Sequence, residues 1–516
     1  MTTDSKTTTT EKWVLVATIL ASSIAFIDSS ALDVAASSLQ TDLNISATQL
    51  LWVINSYTLM LAALILIGGS LGDHYGRKRV FMIGIGVFAA ASLVCGLAQN
   101  VGVLIAARTV QGIGGALMVP GSLAILSASF SPERRGMAIG TWSTFSTLTT
   151  LMGPVLGGWL AEQGLWRVVF FINLPLAAFT LFVLATRVPE SRDSTAAKQL
   201  DLPGALLVTL GLAGITYGFT EAPGLGFGHP RILFTLGGGI LGLLAFVYVE
   251  MHSAHPMVPL KLFKSRTFSG TNALTLLLYA ALGGLPFFFL LNLQKVQEYP
   301  ADVAALTFLP LGILLAIMSR RMGRLVDQVG ARLPLTIGPA LAGVGFFLFA
   351  LPGITSGPGS YFTTYFPAVV LLGIGMGITV APLTTAVMGS APAESSGTAS
   401  GINNAVARTA RVLAIAIFGA IALAAFKGTL ESRTADLGLS EEARSSLSIE
   451  ASKLADAVAP TGLDAAQTSA VEAAIDLAFI DTFRLLALIS AGLAWGSAVL
   501  AWLIVDGRKS TETALT

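Results

Sequence analysis

Charge is scarce in this chain. Asp, Glu, Lys and Arg make up 11% of its 516 residues, less than half of the roughly 25% found in soluble domains. A soluble chain this long divides into two or three domains with charged surfaces, and here there is too little charge to cover them. Cysteine is scarcer: Cys95 stands alone in an apolar run, which excludes an intramolecular disulfide framework and reads as a small buried residue. Of the four histidines, His74, His229, His252 and His255, only His252-Ser-Ala-His255 has a ligand-like spacing. No third ligand cluster accompanies it, which argues against a metal site and a membrane-embedded metalloenzyme. No G-x-x-x-x-G-K-[ST] occurs, which disfavours an ATP-driven pump; the expectation is an ion gradient as energy source and no cofactor. With a net charge of +1 and no Lys/Arg-rich run that reads as nucleic-acid binding, no nucleic-acid partner is expected.

What is abundant is apolar sequence: 54% hydrophobic residues and a mean hydropathy of +0.76. Lipid must be the solvent for much of the exterior. A helix crosses hydrocarbon in about 20 apolar residues, because only a helix satisfies its own backbone there. That ruler gives about fourteen spans, near 13–36, 50–70, 80–99, 102–126, 137–161, 168–187, 202–220, 231–250, 269–292, 302–319, 332–351, 365–388, 402–426 and 479–505. Residues 1–12 lack a cleavage pattern, so the first run is expected to be a retained span. With both termini cytoplasmic, the inside loops hold Arg77, Lys78, Arg79, Arg134, Arg135, Arg187, Arg192, Lys198, Lys261, Lys264, Arg266, Arg320, Arg321, Arg324, Arg332, Arg508 and Lys509. The short outside loops hold only Arg167, Arg231 and Lys295, an asymmetry that fixes the orientation in a plasma membrane. The segment 427–478 reads as a solvated outside loop with a short amphipathic helix or two.

One pattern recurs. GSLGDHYGRKR follows the second span and GRLVDQVGAR follows the tenth, so G-x-L-x-D-x-x-G places Gly69, Asp73 and Gly76 in one copy and Gly323, Asp327 and Gly330 in the other. Glycines permit a sharp turn and close approach, and an aspartate there accepts from the next helix start or from a basic neighbour. Asp73 and Asp327, with Arg77, Arg79 and Arg324, are candidates for a cytoplasmic latch. Parallel repeats about an axis along the membrane normal are a transporter architecture.

These residues carry a family resemblance. GSLGDHYGRKR resembles the loop between helices 2 and 3 of the major facilitator superfamily, and GRLVDQVGAR its weaker copy. LIAARTVQGIGGA resembles that superfamily's helix-4 motif, with Arg108, Gln111, Gly112 and Gly115 at matching positions. Gly153-Pro154-Val155-Leu156-Gly157-Gly158 resembles the antiporter motif of exporters, and WRVVFFINLP the start of helix 6. IDSSALDVAAS in the first span, the two extra spans at 202–250 and SGTASGINNAVAR at 396–408 resemble the fourteen-helix drug:proton antiporter branch. Asp33 stands where that branch has asparagine, Ala36-Ser37 replace Leu-Pro, and Arg411 stands where a glycine is expected. The resemblance implies an all-α integral membrane protein of two six-helix bundles related by pseudo-twofold symmetry, plus two extra central helices. The bundles would occupy 1–190 and 267–516, with 191–266 holding the linker and the extra pair. It further implies a monomeric multidrug exporter whose partners are protons, membrane lipids and small amphiphilic or cationic substrates. A dedicated exporter of a metabolite, siderophore or lipid on the same scaffold, or a channel, is the alternative.

An ionisable group inside a membrane is a functional candidate by default. Asp28 and Asp33 lie in the first span, and a carboxyl whose surroundings change between two conformers can bind a proton on one side and release it on the other. Asp28 is the expected carrier. Asp33 either shares the proton or sits hydrated at the outer mouth. Arg108 supplies a fixed charge to the carrier or substrate, or else anchors helices. Arg408 and Arg411, at the inner end of their span, are expected to snorkel or to serve a cytoplasmic network. Pro154 removes a backbone donor and Gly153, Gly157 and Gly158 allow close helix approach, which makes this stretch a candidate hinge. Aromatics that could line a cavity are Phe26, Trp52, Tyr57, Trp142, Phe145, Phe287, Phe288 and Phe308, with Gln111 among them.

Overall fold

The computed structural model describes residues 9–130, 132–191, 201–253, 256–391 and 396–506; His255 lies outside them. Every long element is an α-helix, and no strand occurs among the described residues. The first bundle comprises α1 (Thr9–Leu43), α2 (Ala47–Tyr75), α3 (Arg77–Leu97), α4 (Val101–Ser129), α5 (Pro132–Glu162), α6 (Val168–Phe171) and α7 (Asn173–Arg187). The two extra helices are α8 (Leu202–Leu225) and α9 (Pro230–His252). The second bundle comprises α10 (Arg266–Leu291), α11 (Ala301–Leu306), α12 (Leu309–Val329), α13 (Arg332–Phe349), α14 (Tyr361–Thr364), α15 (Phe366–Gly389), α16 (Ser396–Thr434), α17 (Glu441–Glu450) and α18 (Ala465–Ile504).

Among the described residues twelve helices are long and apolar enough to cross a membrane. α5 and α12, of 31 and 21 residues, have spanning length but more polar sequences: α5 carries Ser and Thr through its middle, and α12 ends in Arg320, Arg321, Arg324 and Asp327. Together they make the protein a multi-span membrane protein of about fourteen helices.

Side-chain caps start several helices. Ser46 and Gln49 form a capping box on α2, Asp464 and Gln467 another on α18, and Asn100, Asp201 and Ser265 accept from the first turns of α4, α8 and α10. The two repeat copies share a backbone device: Gly76 between α2 and α3 has φ +111° and Gly330 between α12 and α13 has φ +78°, conformations that favour glycine.

Two expectations change in the second bundle. The segment 427–478 holds the expected short amphipathic helix, but it is packed rather than solvated. α16 and α18 extend into it, and α17 with the 3-10 turn Ala451–Asp456 lays Leu439, Ala443, Leu447, Ala451 and Leu454 into the main core. Apolar residues at helical spacing produce this cap. In addition, α16 begins at Ser396 rather than near 402, because the polar run SGTASGINN is helical; Arg408 therefore sits twelve residues inside the helix, about 18 Å along it at 1.5 Å per residue.

The halves meet on the face opposite the basic loops. Ser37 and Gln294 are hydrogen-bonded, Gln294 Nε2 donates to the Val34 carbonyl (3.3 Å), and Glu162 accepts from the Ala301 amide (3.1 Å). Gln294 and Lys295 lie in a π-helical turn, Asn292–Val296, that follows α10. Above it, Gln40 donates to the Lys453 carbonyl (3.2 Å) and Lys295 pairs with Asp456 (2.6 Å), tying the cap to the seam. A vestibule of about 450 Å³ bordered by Ser37, Thr41, Glu162, Gln294 and Lys295 opens outward from this closure.

Candidate functional site

The first bundle buries a carboxylate and a guanidinium together. Asp28 of α1 is 0% exposed and Arg108 of α4 is 1% exposed. Arg108 Nη1 donates to Asp28 Oδ2 at 2.6 Å and to Gln111 Oε1 at 2.7 Å, while its Nε donates to the Val53 carbonyl at 3.3 Å. Gln111 Nε2 and Asn173 Nδ2 both donate to Asp28 Oδ1, at 2.8 and 2.9 Å, and both also reach Ser92 Oγ. The Tyr57 ring lies 4.3 Å from the guanidinium carbon, a cation–π arrangement. The network thus gathers α1, α3, α4 and α7 around one negative charge. Such a pair contributes little net stability when whole, but removing one member costs about 3–5 kcal/mol because it strands a buried charge.

A second ion pair spans the seam. Arg411 Nη2 of α16 donates to Asp33 Oδ2 of α1 at 2.7 Å, with side chains 35% and 25% exposed. Both residues sit deep in their helices, so the residual exposure marks open space between the halves. Arg411 does not snorkel to the inner end of its span, and Asp33 is not a merely hydrated group at the mouth; α16 is longer at its inner end than the apolar run suggests, which moves both arginines inward.

The GPVLGG stretch lies against these acids. Gly153 packs on Ser30, a methyl group at Gly157 would lie 2.7 Å from the Ala31 Cα, and one at Gly158 would lie 2.6 Å from the Ala301 carbonyl oxygen across the seam. Pro154 lies inside α5. α5 therefore touches α1 between the two aspartates through Gly153 and Gly157, and touches the opposite half through the very next residue, Gly158.

The remaining candidates scatter. Phe26 is half-buried on α1 and Phe145 is 49% exposed on α5. Trp142 Nε1 donates to Ser22 Oγ (3.1 Å), whereas Trp52 Nε1 donates to Glu221 of α8 (2.7 Å) on the side of the extra pair. Phe287 and Phe288 are buried, and Phe308 packs edge-on to Phe289 in the second bundle. At the first repeat joint, Gly69 lies against Pro120 and the Arg77 amide donates to the Ser191 carbonyl (2.9 Å). The acceptor for the start of α3 is Glu190, which takes the Lys78 and Arg79 amides at 2.9 and 3.1 Å. The side chains of Asp73, Arg324 and Asp327 lie outside the described residues. Sequence reasoning missed Ser92, Asn173 and Glu190. Asn173 was visible in the helix-6 stretch as a polar residue within an apolar run.

Two helical bundles that meet at a polar seam, with one ion pair buried in the first and another bridging the halves, are the architecture of a secondary transporter. The Major Facilitator Superfamily model matches residues 18–415, and the chain belongs to that superfamily. It is 32% identical over 428 residues to the multidrug resistance protein Stp of Mycobacterium tuberculosis, covering 82% of this chain and 78% of that one. It is 34% identical to the puromycin resistance protein pur8 of Streptomyces alboniger (80% and 82% covered) and 35% identical to the cephamycin export protein CmcT of Amycolatopsis lactamdurans (77% and 82%). Among solved structures it shares the fold of a bacterial homologue of the lysosomal transporter Spinster in an inward-facing, unoccupied conformation. That match has TM-score 0.64 and 18% identity, and covers 96% of this chain and 98% of that one.

Proposed function

We propose that the protein is a monomeric proton-coupled antiporter that exports small amphiphilic compounds across the plasma membrane by alternating access. The proton gradient supplies the energy, with no cofactor and no catalytic step. The chain's membrership of a superfamily whose similar members here are resistance and export proteins supports the direction and substrate class. Basic residues gather in the loops of one face, which supports a cytoplasmic position for that face and for both termini. The closed seam at Ser37, Gln294 and Glu162 is then the outer gate, and the conformer faces inward.

One observation carries the proton reading: Asp28, a carboxylate with no exposed surface, accepts from three side-chain donors on two other helices. A proton placed on Asp28 converts an acceptor into a donor and sets it against Arg108 or the two amides. Loading a proton must therefore rearrange α4 and α7 about α1, and α1 also forms the outer seam. Binding at Asp28 is in this way coupled to the gate through one helix.

The test uses protein in liposomes under an imposed pH gradient, with substrate-driven proton flux as the readout. Asp28→Asn is expected to lose that flux by at least about tenfold while still exchanging substrate down its own gradient. Full coupling in the variant would remove Asp28 from the carrier role.

A further inference from the structure

Charges in the middle of the spans do not balance. Asp28 and Arg108 satisfy each other, and Asp33 is taken by Arg411. Arg408 is left. It lies one helical turn inward from Arg411 on the same face of α16, forms no hydrogen bond or ion pair with any described residue, and has a buried, unpartnered Nε. The ionisable groups that act on it are the Tyr57 hydroxyl and Arg411, and neither is an acid. An arginine offers five donors in a planar fork, and Arg408, half-buried within a span, is left without a counter-ion there, which is costly.

The seam holds a second unsatisfied group. Asn55 is 0% exposed, and neither atom of its amide has a partner. It belongs to the stripe of α2 that includes Leu51, Leu59 and Leu66. That stripe packs on α16, since Leu51 meets Gly419, Leu59 meets Val412 and Leu66 approaches Gly401. Arg408, Arg411 and Asn55 therefore lie along one interface, beside the open space that leaves Asp33 and Arg411 partly exposed.

We infer that Arg408, with Arg411 beside it, receives an acidic group, a carboxylate or sulfonate, on the transported amphiphile. This rests on the export reading and narrows its substrate class. A planar fork matches a carboxylate bidentately, and an arriving anion also competes with Asp33 for Arg411. An apolar body with one acid is thus favoured over the same body without it, and a purely cationic compound meets an excess of like charge.

The experiment compares a rhodamine free acid with its methyl ester, two dyes that differ only in the carboxylate. Binding is measured by fluorescence anisotropy on purified protein in phosphatidylcholine nanodiscs. The wild type is expected to bind the acid about tenfold more tightly. Arg408→Gln should bring the two affinities together, and Arg408→Lys should keep part of the preference. Equal binding by the wild type, or an ester preference, overturns the inference whether or not the variants fold. Nanodiscs containing phosphatidylglycerol separate a lipid headgroup from a substrate acid. A preference that persists there supports the substrate role, and one that disappears assigns Arg408 to lipid and overturns it. Everted vesicles that export the ester without favouring the acid reject this inference alone. Vesicles that export neither dye reject the export reading and this inference with it.

Discussion

At the scale of single residues, the membrane interior makes charge informative. Asp28, Arg108 and Gln111 could be picked from the sequence because ionisable or amide side chains stand out in apolar spans, and the structure brings all three together. Ser92 completes the same network but did not stand out, since hydroxyls bonded to their own helix backbone occur throughout these spans, and Asn173, though a lone amide in an apolar run, carried no sign of which helix it would face. The arrangement predicts a non-additive pair. Arg108→Ala alone should lower stability by about 3–5 kcal/mol by stranding the Asp28 charge, and the double variant Asp28→Ala with Arg108→Ala should be less destabilised than that single one. Thermal unfolding in detergent gives the comparison; equal losses would show that the two do not act as a pair. Asp33 and Arg411 illustrate the opposite case. Each is a departure from the pattern of the resembling branch when read alone, and only the three-dimensional contact reveals that one departure answers the other.

Helices were legible as elements because each apolar run is long enough to span, and their approximate limits followed from hydropathy. Their ends were not. α16 gained six residues of polar helix at its start, and that shift placed Arg408 and Arg411 in the seam rather than at the membrane surface. Polar helix extending out of a membrane has no hydropathy signal. The GPVLGG motif was readable as a close-packing site, yet its partners, Ala31 on one side and Ala301 on the other, belong to distant parts of the chain. Gly157→Leu should therefore destabilise by about 1–3 kcal/mol through overpacking and reduce substrate export more than Gly153-distant exposed changes such as Trp159→Leu do. Export assays with matched expression levels measure this, and wild-type transport by the Gly157 variant would remove α5–α1 contact from the mechanism. Cys95 helps such work: it is the single cysteine of the chain and is buried, so an introduced thiol can be labelled without removing a native one.

Across the whole molecule, closure is asymmetric. Polar contacts between the halves gather at the outer seam, and the α17 cap adds Lys295–Asp456 and Gln40–Lys453 to it. The role of this cap is not legible in the sequence, because what it offers the seam is a backbone carbonyl, Lys453, and a carboxylate, Asp456, whose partners lie in distant segments. The Lys295–Asp456 pair is partly exposed, so its loss is worth about 0.2–1 kcal/mol. Lys295→Ala should consequently raise outer accessibility a few-fold without unfolding the protein, measured as the labelling rate of Ser37→Cys from outside. An unchanged rate would show that the cap does not bear on the gate.

The extra helices complete the picture. α8 packs on both α2 and α16, and α9 lies against α8 with most of its surface facing lipid. The pair thus plugs one of the two lateral seams between the bundles. On the other flank, Phe145, Leu148 and Met152 of α5 and Ile313 and Ile317 of α12 remain exposed. Apolar surface contributed by both halves is thus left bare on that flank, and the protein presents two unlike sides to its surroundings.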